Sequence, residues 1–89
     1  MGKIVIAYKI FPSESTVDLE LLQEKIKKQL EGIAAVQRFT KEPIAFGLSA
    51  LIVNMVLPDD KEGILDETEK RLTAIEEVGQ IQTLGVNRL

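Results

Sequence analysis

The side chains that most often carry out reactions are missing from this sequence. It has no His and no Cys, which removes the commonest general base, the commonest metal ligand, disulfides and thiolate chemistry. No Ser-His or Cys-His pair is therefore available, and no glycine-rich phosphate loop ending in Lys-Ser or Lys-Thr occurs. Asp59, Asp60 and Glu62 could loosely hold a hard cation, but carboxylates gathered at a helix start are the simpler reading. What remains is non-covalent chemistry carried by two residues. Phe46 sits in Glu42-Pro43-Ile44-Ala45-Phe46-Gly47, and Arg88 stands one residue from the terminal carboxylate. Taken alone, Phe46 is more simply a plug for a sheet end than a contact for a partner, and Arg88 more simply a solvated chain end.

These residues are placed by the elements around them. Leu48 to Leu57 is the longest apolar run, rich in aliphatic and β-branched residues and free of Gly and Pro. It reads as a strand central in a sheet. From Pro43 to Leu57 it falls short of the ~18 residues that a membrane-crossing helix needs. Lys3 to Phe11 is a second such strand, with Ile4, Ile6, Tyr8 and Ile10 on one face, and Pro12 is expected to stop it. Asp18 is the expected N-cap of a helix. Val17 and Leu22 form its staple, and Leu19, Leu22, Ile26 and Leu30 form its buried stripe. Glu24 and Lys28 stand at i,i+4, and Gly32 is the stop.

Ile33 to Thr40 reads as another strand, irregular at Ala34-Ala35, with Lys41-Glu42-Pro43 as the turn that follows. Pro58-Asp59-Asp60 is expected to end the third strand and to cap a second helix. That helix carries Leu65, Leu72 and Ile75 at helical spacing, with Asp66–Lys70 and Glu67–Arg71 as pairs. Gln80 to Asn87 is the last strand, with a bulge expected near Thr83 because Ile81, Leu84 and Val86 break the period of two.

The order is β-α-β-β-α-β. A weak repeat at intervals of three (Leu30, Ile33, Val36, Phe39, then Leu72, Ile75, Val78, Ile81) marks two similar halves. The expected class is α+β: a ferredoxin-like sandwich, with two helices on one face of a four-stranded antiparallel sheet, its first and third strands central. Residues 1–89 make a single domain. The net charge is −3, which disfavours broad attraction to nucleic acid or anionic lipid. An RNA-binding sheet would also need exposed aromatics. No signal peptide opens the sequence, so the cytoplasm is the expected compartment.

The chain resembles the archaeal translation elongation factor 1-beta family, and through it the C-terminal exchange domain of the eukaryotic factor. The residues that carry the resemblance are Glu42-Pro43-Ile44-Ala45-Phe46-Gly47-Leu48-Ser49-Ala50-Leu51, which match the Pro-Ile-Gly/Ala-Phe-Gly-aliphatic signature. Ile10-Phe11-Pro12, Val17-Asp18-Leu19 and Arg88-Leu89 support it. The resemblance implies the same ferredoxin-like fold and guanine-nucleotide exchange on the GTPase elongation factor 1-alpha, with no bond made or broken and no cofactor or resident metal.

The resemblance also implies roles for named residues. Phe46 would dock in a pocket of the GTPase, flanked by Pro43, Ile44, Ala45 and Gly47. Arg88, between Asn87 and Leu89, falls where eukaryotic members carry a Lys that reaches the Mg²⁺ and phosphate site. Here a planar fork replaces a compact ammonium. A stiff sandwich is expected to hold Phe46 and Arg88 side by side. Two alternatives share the fold: a small-molecule-sensing module, which a Gly-rich loop after the first strand would favour and Pro12-Ser13-Glu14-Ser15 disfavours, and a bare assembly module in which Phe46 would be core.

Overall fold

The structure, a computed structural model, describes residues 2–89. Six elements follow one another: β1 (Lys3–Pro12), α1 (Leu19–Gln29), β2 (Ala35–Pro43), β3 (Ser49–Pro58), α2 (Ile64–Thr73) and β4 (Val78–Arg88). All strand pairs are antiparallel and the spatial order is β2-β3-β1-β4. This is the expected ferredoxin-like α+β sandwich, with the first and third strands central.

Central position follows from burial. Ile4, Ile6, Tyr8 and Ile10 of β1 face the helices, as do Leu51, Val53, Met55 and Leu57 of β3. They pack on Leu22, Ile26 and Leu30 near α1 and on Ile64, Leu72 and Ile75 near α2. Each fully buried aliphatic side chain stabilises the fold by about 1.5–3 kcal/mol. The register is fixed by this alternation, because a slip of one residue would turn either central strand's apolar set outward.

Polar groups tie the layers together. The Tyr8 hydroxyl lies in the core and donates to Glu69 Oε2 at 3.0 Å, joining β1 to α2. Thr68, also fully buried, donates to the Ile64 carbonyl at 2.7 Å. Arg71 donates to the Gln29 carbonyl at 3.2 Å, linking α2 to the end of α1.

Helix α1 begins as expected: Asp18 Oδ1 accepts from the Glu20 and Leu21 amides at 2.9 and 3.4 Å. It ends where Gly32 turns to φ 87° and the Ile33 and Ala34 amides return to the Leu30 carbonyl. Of the three expected i,i+4 pairs only Glu67–Arg71 forms, at 3.0 Å.

Strand β1 stops at Pro12 as expected, with that residue pairing to Val78 across a register shift. Two expectations at element ends need correction. Strand β2 starts later than Ile33 and runs through Lys41-Glu42-Pro43, because these residues pair with Leu51, Ala50 and Ser49. Proline is tolerated there because β2 is an edge and Pro43 its last residue. Helix α2 is not capped by Pro58-Asp59-Asp60. Its N-cap is Gly63, with φ 75° and no side-chain cap. The bulge expected near Thr83 is present one residue on: Ala7 pairs with Gly85 and Tyr8 with Thr83, leaving Leu84 as the extra residue.

Candidate functional site

Strands β2 and β3 form a hairpin, and its tip carries the aromatic residue. Pro43 pairs with Ser49 at the hairpin mouth. The Ile44 amide donates to the Leu48 carbonyl at 2.8 Å, and the Leu48 amide to the Ala45 carbonyl at 2.9 Å. Phe46 and Gly47 between them both have positive φ, 52° and 77°. Glycine takes such values without penalty, whereas for a bulky L-residue they cost about 1–2 kcal/mol. Phe46 meets that cost without any compensating burial, since its relative exposure is 101%. The reading of Phe46 as a sheet-end plug is therefore overturned. Pro43, Ile44, Ala45 and Gly47 are exposed around it, so the hairpin tip presents an aromatic on a short hydrogen-bonded turn.

The cation is built differently. Arg88 is the last residue of β4 and pairs with Ile4. The Leu89 amide donates to the Lys3 carbonyl at 2.8 Å, fixing the chain beyond it. The Arg88 guanidinium contacts the Asp59 carboxylate through Nη1 alone. Asp59 is itself held, since its amide donates to the Gly2 carbonyl at 3.1 Å. A side chain on Gly2 would meet the Leu89 carbonyl at 3.2 Å and Asp59 Oδ2 at 3.4 Å. Three chain segments thus converge here, and a side chain at Gly2 would press on the Leu89 carbonyl. Arg88 borders an open cleft of ≈ 420 Å³ between the end of β3 and the start of α2. Asn87 and Leu89 are exposed beside it.

Asp59 was not among the candidates read from sequence as a partner for Arg88. The signal lies in the register. Ile4 pairs with Leu57 on one side and with Arg88 on the other, so the residues just past β3 flank the same point of β1.

The two features are not side by side. Strands β3 and β4 both run antiparallel to β1 and so point the same way. The loop before β3 and the end of β4 therefore lie at opposite ends of the sheet. Ser49 to Leu57 spans roughly 25 Å at strand rise, and the loop with Phe46 projects beyond that. The molecule is correspondingly long, 43 × 20 × 17 Å.

Electrostatics elsewhere is modest. Lys9 and Glu42 pair at 2.8 Å across the open sheet face. Lys25 on α1 meets Glu77 ahead of β4, and this hydrogen bond holds the Glu77 carboxyl below its usual range. Burial, then the hydrogen bond to Glu69, pushes the Tyr8 hydroxyl well above the ordinary phenol value. No group of three or more metal-ligating side chains occurs among the described residues, and none of their helices is long and apolar enough to cross a membrane.

Residues 5–89 match the family described as the EF-1 guanine nucleotide exchange domain. The chain belongs to that family. As an EF-1 exchange domain it is similar over its full length to proteins named elongation factor 1-beta. It is 39% identical over 89 residues to that of Methanothermobacter thermautotrophicus, covering 100% of this chain and 99% of the relative. It is 39% identical over 87 residues to that of Sulfolobus acidocaldarius, covering 97% and 96%. With that of Thermoplasma acidophilum it shares 31% over 87 residues, covering 98% of each. Among solved structures, the C-terminal domain of the MgtC protein from Mycobacterium tuberculosis superposes with a TM-score of 0.56. That match covers 100% of this exchange domain and 86% of the other chain at 9% identity, a likeness of fold alone.

Proposed function

We propose that this chain is a guanine-nucleotide exchange factor in translation elongation, acting in the cytoplasm on the GTPase elongation factor 1-alpha. Membership of the exchange-domain family across residues 5–89 carries this reading. Such a protein makes and breaks no bond. It binds the GTPase more tightly when the nucleotide site is distorted, and by linkage it then weakens nucleotide binding by the same factor.

Phe46 is the docking group in this proposal. A fully exposed aromatic at the tip of a short hairpin has its whole apolar surface available for a partner pocket to bury. Such an anchor contributes on the order of 2 kcal/mol or more to binding. Pro43, Ile44, Ala45 and Gly47 form its rim. Arg88, with Asn87 and Leu89, is the disturbing group. Bound GDP depends on Mg²⁺, the largest local charge at its phosphates. A guanidinium brought toward that position competes with the ion and draws phosphate oxygens to itself. GDP then leaves faster, and GTP enters because cells hold more of it.

Their separation gives the mechanism its form. Phe46 and Arg88 serve as two contacts roughly 25 Å or more apart along the strands, so the partner is gripped at two distant points. The sandwich between them keeps the spacing fixed. The assembly reading, in which Phe46 is core, loses its support because that side chain is bare.

The test is release of a fluorescent GDP from elongation factor 1-alpha. Addition of this protein at catalytic amounts is expected to accelerate release at least tenfold. No acceleration would refute the reading.

A further inference from the structure

We propose that Asp59 is the positioning residue for Arg88, holding one edge of its guanidinium at the end of the sheet so that the rest of the fork is presented to the partner. For its activity arm this rests on the exchange reading above.

Arginine is long, and at a strand end its head would otherwise sample many rotamers. Here Nη1 is engaged by Asp59 while the head stays mostly open, with the Arg88 side chain 60% exposed and that of Asp59 27%. A guanidinium has five N–H donors. One contact with Asp59 leaves others free for phosphate oxygens, which an ammonium anchored in the same way would do less well.

The anchor is itself built in. Asp59 follows the last residue of the central strand β3, and its amide is tied to the Gly2 carbonyl. The chain beyond Arg88 is tied to Lys3, so anchor and arginine are both fastened to the start of β1. Neighbouring Asp60 carries the same charge but makes no ion pair among the described residues. Position, not local charge, is what distinguishes Asp59.

Two measurements test this. In the first, ¹⁵N relaxation of the Arg88 side-chain Nε–Hε group in the free protein is compared with that of Arg38, which makes no ion pair among the described residues. Arg88 is expected to be the more ordered, and to fall to the Arg38 level in Asp59→Asn. Equal order in the unmodified protein would overturn the proposal whatever the activity. In the second, GDP release is measured across a range of exchange-protein concentrations.

Asp59→Asn is expected to lower the saturating rate about three- to tenfold while the half-saturating concentration, set mainly at the Phe46 end, stays within twofold. Asp59→Glu should recover part of the rate, and Asp60→Asn should match the unmodified protein. An unchanged or raised rate in Asp59→Asn, or an equal loss in Asp60→Asn, would overturn the proposal. Failure of the unmodified protein to accelerate release would instead refute the exchange reading and leave the relaxation result to decide this one.

Discussion

Phe46 and Arg88 stand at opposite ends of one sheet, the first on the hairpin before β3, the second on the last residue of β4. Because β3 and β4 run the same way, no rearrangement short of unfolding brings the two together. They are therefore separable experimentally: substitutions at one end leave the geometry of the other intact, and their effects on stability should add.

Phe46→Gly is expected to keep or raise the thermal midpoint while cutting exchange on elongation factor 1-alpha at least tenfold. The side chain buries nothing, so its removal costs no packing. Glycine also relieves the positive-φ penalty of about 1 kcal/mol, offset in part by the freer unfolded chain. Thermal unfolding followed by circular dichroism, set beside GDP release, checks this. A lowered midpoint would show that Phe46 supports the hairpin.

Arg88→Ala should slow GDP release most when Mg²⁺ is scarce. Abundant ion outcompetes the guanidinium in the unmodified protein as well, so the two rates converge as Mg²⁺ is raised. A deficit of constant size across the titration would remove the Mg²⁺-linked role. The fold itself should lose at most about 1 kcal/mol, since an exposed ion pair contributes no more than that.

Tyr8 predicts an alkaline limit to stability. Its hydroxyl is held protonated by burial and by Glu69, so the folded-state pKa lies above the unfolded one. The stabilisation is complete below about pH 10, the unfolded value, and is lost as pH rises further, because only the unfolded chain then releases the proton. Tyr8→Phe should be about 1 kcal/mol less stable at neutral pH through loss of the hydrogen bond, with a flatter decline above pH 10. Urea titrations at pH 7 through 11 measure both, and parallel curves for the two proteins would contradict the assignment.

Gly79→Ala should destabilise the start of β4. An added Cβ would lie 3.0 Å from Ser13 Cα and 3.1 Å from the Pro12 carbonyl oxygen, both main-chain atoms with little room to yield. A loss of about 1–3 kcal/mol is expected. Gly85→Ala, where nothing lies within 4 Å of the added atom, is the matched control in the same strand. Equal midpoints would show that the β1–β4 crossing relaxes freely.

Much of this was legible in the chain itself. The two continuous apolar strands, the Asp18 cap, the Gly32 stop and the broken alternation near Thr83 each follow from local chemistry, and each appears in the fold. Element ends were less legible because pairing decides them. Lys41-Glu42-Pro43 carries turn-like residues but lies opposite Leu51, Ala50 and Ser49 and completes the hairpin. Asp59 looked like a helix cap by type, yet Arg88 engages it and α2 starts at Ile64 with Gly63 as its N-cap. The exposure of Phe46 was implied by the family resemblance but not by its residue type, since an aromatic just before a central strand reads more simply as a plug. The separation of Phe46 from Arg88 was implied all along by the strand directions of β-α-β-β-α-β, though not by any property of the two residues.

Strands β1 and β3, each ten residues long, run without a register shift between them from the aromatic end to the cationic end. On the two-contact mechanism proposed above, the molecule would be a caliper with no screw: a partner held at both tips must offer that one gap, and one whose two lobes drift apart would be let go at one jaw. In such an arrangement, selectivity for one shape of the held protein would come from the length of a strand.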